Sequence, residues 1–286
     1  MLSRQAMTMN NKMRISCIQL DMKFGDVEYN YAEALRLIRE TVEKEKSDVV
    51  VLPETWTTGF YPKENLADYC DRDGEKVKKT FSALANELNV NIVAGSIANE
   101  KNGGIYNTAF VFNREGEVVA EYDKTHLFTP MDEHRFFSFG KNLVTFELDG
   151  HKCGIVICYD IRFCELIRSL ALKGIDMLFM VSQWPLVRTS HIVTLTRARA
   201  IENQMFVVCC NSCGKTPDTV FGGHSQIIDP WGEVLGAAGE QQEVITADCD
   251  FGIIKDIRNS ICSHPRIHGL PHYQDHQAFR QLWHNR

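Results

Sequence analysis

No apolar stretch in this sequence is long enough to cross a bilayer. The longest are strand-sized, which excludes a transmembrane helix. The first residues, MLSRQAMTMNNKM, lack the apolar centre of a secretory leader, so a cytoplasmic protein with no membrane partner is expected. Basic residues are not in excess: 31 Lys and Arg stand against 37 Asp and Glu, a net charge of −6 that argues against a nucleic-acid partner. Nothing rich in Pro, Gly or Ser reads as a linker, and no short repeat divides the 286 residues. One domain is expected, over 13–260. Residues 1–12 read as a disordered extension, with Met7, Met9 and Met13 as alternative starts.

Cysteine is plentiful, at ten, but no loop-rich disulfide framework accompanies it. Cys17, Cys153, Cys158, Cys209, Cys210 and Cys249 lie in or beside apolar runs, which suits a reducing compartment. Cys210-Asn-Ser-Cys213 is a single CxxC without a second pair, so core or loop thiols are expected there, not a metal site.

Strand and helix patterns alternate, which implies α/β layering. Strands are expected at 14–20, 48–52, 91–96, 106–112, 117–122, 144–148, 152–157, 177–181, 205–210 and 223–228, and helices at 30–46, 77–88 and 192–203. A further helix is expected from Arg162, with Phe163, Leu166, Ile167, Leu170 and Ala171 on one face.

Three of these strands end in chemistry. Asp48-Val-Val-Val-Leu-Pro-Glu54 delivers a carboxylate, Val118-Val-Ala-Glu-Tyr-Asp-Lys124 an ammonium, and the run ending at Ile157 the thiol of Cys158. In layered α/β folds reactive groups gather past the strand ends. Cys158 is expected on an exposed strand-to-helix corner, where free N–H groups favour a thiolate and a developing oxyanion. Singly, each residue has a plainer explanation: a core thiol, a loop cap, a solvated lysine. The joint pattern is what points to chemistry.

The segments VVLPETW, EYDKTHLF, ICYDIRF, VSQWP and RARAIENQMFVVCCN make the chain resemble the nitrilase, or carbon–nitrogen hydrolase, superfamily over about residues 13 to 250. The CYDxRF and WP…ARAIEN blocks are most similar to its omega-amidase branch. The resemblance implies a four-layer αββα sandwich, a homodimer or higher homo-oligomer, and no metal or organic cofactor. It also implies a Glu54, Lys124 and Cys158 triad that hydrolyses a small linear amide, such as 2-oxoglutaramate or 2-oxosuccinamate. N-carbamoyl amines or nitriles are the alternative substrates on the same triad, and a catalytically silent binding protein is the remaining one. The family's second glutamate falls in Met131-Asp-Glu-His-Arg135, where Glu133 is preferred over Asp132.

The chemistry fits these residue types. Cys158 attacks, and Glu54 is the base, its pKa expected to rise through burial beside Pro53 and Trp56. Lys124 and the Tyr159 N–H are candidate oxyanion donors. Arg162 is the candidate anchor for a far carboxylate, or else the partner in a structural salt bridge. Phe60, Phe128 and Trp184 are candidate pocket walls. After Ser260 the sequence departs from the omega-amidase pattern: 261–286 is an atypical tail. His264, His268, His272 and His276 recur there every four residues, but Pro265, Gly269 and Pro271 break the helix that would align them.

Overall fold

Period-two alternation along the strands decides the layering. In the computed structural model, which describes residues 11–261, β1 (Lys12–Gln19) turns Met13, Ile15 and Cys17 to one face, while Ile18 joins the opposite cluster. After helix α1 (Val27–Glu45), β2 (Val49–Val51) sends Val49 and Val51 inward and Val50 outward. The short β3 (Asp71–Arg72) and helix α2 (Glu75–Leu88) lead to β4 (Asn91–Lys101), β5 (Gly104–Phe112) and β6 (Val118–Asp123). In β5, Ala109 and Val111 face inward, whereas Phe110 and Phe112 meet Val77, Phe81 and Leu84 of α2 in the outer cluster. These strands form one sheet in the order β1-β2-β4-β5-β6, with β3 beside β4.

The second half repeats the scheme. A hairpin of β7 (Thr145–Leu148) and β8 (His151–Ile157) is followed by α3 (Cys164–Leu172), β9 (Met177–Ser182), α4 (Thr189–Asn203) and β10 (Phe206–Asn211). Then come β11 (Gln226–Ile228), β12 (Val234–Ala237), β13 (Glu243–Asp250) and α5 (Gly252–Ser260). The second sheet runs β12-β11-β10-β9-β8-β7, and β13 crosses back to pair with β1. The two sheets share one core, in which Ile15, Val49 and Val111 of the first cluster with Ile155, Phe179 and Val208 of the second. Helices lie outside each sheet, giving the αββα order.

Differences from the sequence reading are local. β1 begins at Lys12, inside the stretch read as an extension. The rest of that stretch, 1–10, and the tail with its four histidines, 262–286, lie outside the described residues. β4 and β5 form a hairpin over Asn102-Gly103 that was not foreseen, and β13 and α5 were also missed. Helix α3 starts at Cys164, not Arg162, because a 3-10 turn over Cys158–Arg162 comes first. All nine described cysteines are free thiols. Among the described residues no helix is long and apolar enough to cross a membrane.

Candidate active site

Parallel pairing points the C-terminal ends of β8 and β9 the same way, as it does for β2 and β4. The loops leaving those ends meet where the Glu54 N–H donates to the Ser182 carbonyl, at 3.3 Å, and joins the two sheets. A glycine makes this loop possible. Gly95 has φ +61° in the β4 bulge, and a Cβ there would fall 2.0 Å from the Pro53 carbonyl oxygen and 2.8 Å from Trp56. With no side chain in the way, Ser96 N–H donates to Pro53 O and Thr55 N–H to Ser96 Oγ, which aims Glu54 inward.

Glu54, Lys124 and Glu133 come together in a buried ion cluster, none more than 4% exposed. Lys124 Nζ donates to Glu54 Oε1 at 2.7 Å and to both oxygens of Glu133, at 3.0 and 2.9 Å. Burial works against the Lys124 charge, yet Glu133 and Glu54 together hold its pKa well above the ordinary lysine value. Burial pushes the Glu133 carboxyl upward, against the pull of Lys124. Glu133 is tied further by the Phe128 N–H at 2.6 Å, so the loop carrying it is fixed at both ends of the turn. Glu54 Oε2 accepts from the Gln183 N–H at 2.9 Å. The surroundings of Glu54 are therefore donors. The Trp56 ring, expected beside the carboxylate, packs on the far side against Tyr31 and Phe81.

Asn107, on β5, was not foreseen. Its Nδ2 donates to Glu54 at 2.8 Å and Glu133 at 3.1 Å, bridging two carboxylates that would otherwise face each other across Lys124 alone. Its only sequence signal is an amide in a mostly apolar strand.

Cys158 corrects an expectation. It sits at the corner, but it is 8% exposed, at the floor of a cleft. Its thiol is not poised as a thiolate: burial pushes its pKa well above the ordinary cysteine value and Glu54 adds to the rise. Lys124, the Ser182 hydroxyl and the Gln183 N–H pull the other way without balancing it. Its φ is +47°, a left-handed conformation that costs a non-glycine residue about 1–2 kcal/mol. Asp160, also unforeseen, holds that corner. Fully buried, it accepts from the Ile157 N–H at 3.0 Å, Tyr122 Oη at 2.7 Å, and the His126 N–H and ring at 2.9 and 2.8 Å.

The cleft encloses about 460 Å³ of non-atom space, open solvent at its mouth included. Every residue expected at the site lines it: Glu54, Lys124, Glu133 and Cys158, with Phe60, Phe128, Tyr159, Arg162 and Trp184. The Arg162 guanidinium lies 4.8 Å from the Trp184 ring and donates to His191 Nδ1 at 3.0 Å. No carboxylate pairs with it among the described residues, so the salt-bridge alternative is not what is found. Sequence reasoning missed Arg188, which also lines the cleft.

A two-sheet αββα sandwich whose facing strand ends bury a carboxylate, a lysine and a thiol in one cleft defines a class. The chain belongs to the carbon–nitrogen hydrolase family, whose model matches residues 14–259. More narrowly, it falls on the omega-amidase-like branch of the nitrilase superfamily. It is 45% identical to the 2-oxoglutaramate amidase of Bacillus subtilis, over 87% of this chain and 95% of that one. It is 33% identical to the omega-amidase NIT2 of Danio rerio, over 88% and 93%. Among solved structures, a CN-hydrolase superfamily protein of Xanthomonas campestris superposes with a TM-score of 0.81 at 28% identity, covering 88% of this chain and 96% of that one.

Proposed function

We propose that the protein is a thiol amidase that hydrolyses the terminal amide of a short oxo-acid amide, 2-oxoglutaramate or 2-oxosuccinamate. The observation that carries this reading is the meeting of Glu54, Lys124 and Glu133 with Cys158 in one cleft that also holds cationic side chains. In the resting site the thiol keeps its proton. Attack on the amide carbon is therefore coupled to proton transfer from Cys158 to Glu54, so no free thiolate accumulates. Lys124, held by two carboxylates, offers a fixed positive charge to the developing oxyanion, with the Tyr159 N–H as second donor. Collapse breaks the C–N bond. Glu54 returns the proton to the leaving nitrogen, ammonia departs, and an acyl thioester remains on Cys158. Glu54 then takes a proton from water, which attacks the thioester; collapse frees the acid, and Glu54 returns the proton to the departing sulfur, restoring the thiol. Glu133 and Asn107 keep Lys124 and Glu54 in register. A cytoplasmic homo-oligomer belongs to the same reading.

An ammonia-release screen over oxo-acid amides, N-carbamoyl amines and nitriles tests it. The expected outcome is fastest release from 2-oxoglutaramate or 2-oxosuccinamate, ahead of glutamine and asparagine. Preference for a nitrile or an N-carbamoyl amine would overturn the substrate and leave only the thiol chemistry.

A further inference from the structure

Arginines in this fold are mostly neutralised. Arg14, Arg36, Arg39, Arg72, Arg114, Arg135, Arg199 and Arg258 each contact a carboxylate. Among the described residues Arg162, Arg168, Arg188 and Arg197 do not, and of these Arg162 and Arg188 line the Cys158 cleft. The Arg188 guanidinium lies 5.4 Å from the Phe128 ring centroid, and the Phe128 and Tyr159 rings pack T-shaped with centroids 5.0 Å apart. Arg162 stands over Tyr159 and Trp184. The backbone of Arg188 is anchored, since its carbonyl accepts from Trp184 Nε1 at 2.8 Å. The charges of the cleft are thus divided. Glu54 and Glu133 share Lys124 beside the thiol, while two guanidinium groups that find no carboxylate among the described residues lie among the aromatic rings.

We infer that Arg188 joins Arg162 to form a carboxylate subsite that orients the substrate and sets its specificity; this rests on the amidase reading above. The buried carboxylates beside Cys158 repel an anionic end, and the paired guanidiniums attract it, so charge alone turns the amide end toward the sulfur. The same pair offers donors to a 2-oxo oxygen but repels a 2-ammonium, which separates an oxo-acid amide from its amino-acid counterpart. The test is steady-state kinetics of the wild-type protein and Arg188→Gln on three amides of one chain length: pentanamide, glutaramate and glutamine. The wild type favours glutaramate over pentanamide. In Arg188→Gln that ratio of kcat/KM falls about tenfold or more, mainly through KM, and the glutamine-to-glutaramate ratio rises. Both readouts are ratios, so a smaller folded fraction does not move them. A wild-type protein that favours pentanamide would overturn this assignment and the proposed function together. A wild-type preference for glutaramate, with either ratio unmoved in Arg188→Gln, would overturn the role of Arg188 alone.

Discussion

Lys124 is bound to two carboxylates at once, and that arrangement ties its position to its charge. Removing the ammonium while keeping the stem, as in Lys124→Met, leaves Glu54 and Glu133 buried without a countercharge. On the proposed mechanism it also removes an oxyanion donor. The loss of transition-state stabilisation should be about 3 kcal/mol or more, a hundredfold or greater fall in kcat, with KM changed far less. Near-native kcat in this variant would remove Lys124 from the chemistry. Four residues of the cluster were legible in sequence because each follows a recognisable string: Glu54 after VVLP, Lys124 after EYD, Glu133 in MDEHR and Cys158 after the GIVI strand. Asn107 and Asp160 were not. Their importance lies in which neighbours the sheets bring to them, 53 and 38 residues away for Glu54 and Tyr122 respectively, and no local pattern carries that.

The corner after β8 is the element on which the proposed nucleophile depends. It is a 3-10 turn, too tight to be read from a helical stripe, and the left-handed Cys158 begins it. Four groups donate to Asp160, so the strain at Cys158 is held by a buried network. Asp160→Ala should leave the Ile157 and His126 N–H groups without this acceptor and cost about 3 kcal/mol or more of stability. Cys158→Ala should cost much less, because only a sulfur is lost. Urea unfolding of both variants checks the order, and equal or reversed losses would show that Asp160 does not hold the corner. At this scale, strand identity was readable from alternation, whereas the β4–β5 hairpin and β13 were overlooked. Their signals were present, an Asn-Gly turn and an alternating EVITADCD, but β13 finds its partner β1 more than two hundred residues away.

Across the whole molecule, the sandwich buries many thiols. Burial pushes Cys153, Cys158, Cys209, Cys210 and Cys249 well above the ordinary cysteine range. In the unfolded chain each ionises near its reference value of ~8.5, while in the fold each keeps its proton. Above that pH the unfolded state therefore holds fewer protons than the native one, and stability falls as pH rises, by up to about 1.4 kcal/mol per thiol per pH unit. Urea midpoints under reducing conditions should be lower at pH 10 than at pH 8. An unchanged midpoint would mean that these thiols ionise inside the fold. The same burial applies at Cys158, where on the proposed mechanism it makes proton transfer to Glu54 part of the attack. The central claim is that this thiol carries the acyl group. Acid quenching during turnover of 2-oxoglutaramate, followed by intact-mass and peptide mass spectrometry, tests it most directly. The account predicts an adduct equal to the substrate minus ammonia, confined to the peptide bearing Cys158 and missing from Cys158→Ala, which has no turnover. An adduct on another cysteine, or ammonia release by Cys158→Ala at an undiminished rate, would contradict it.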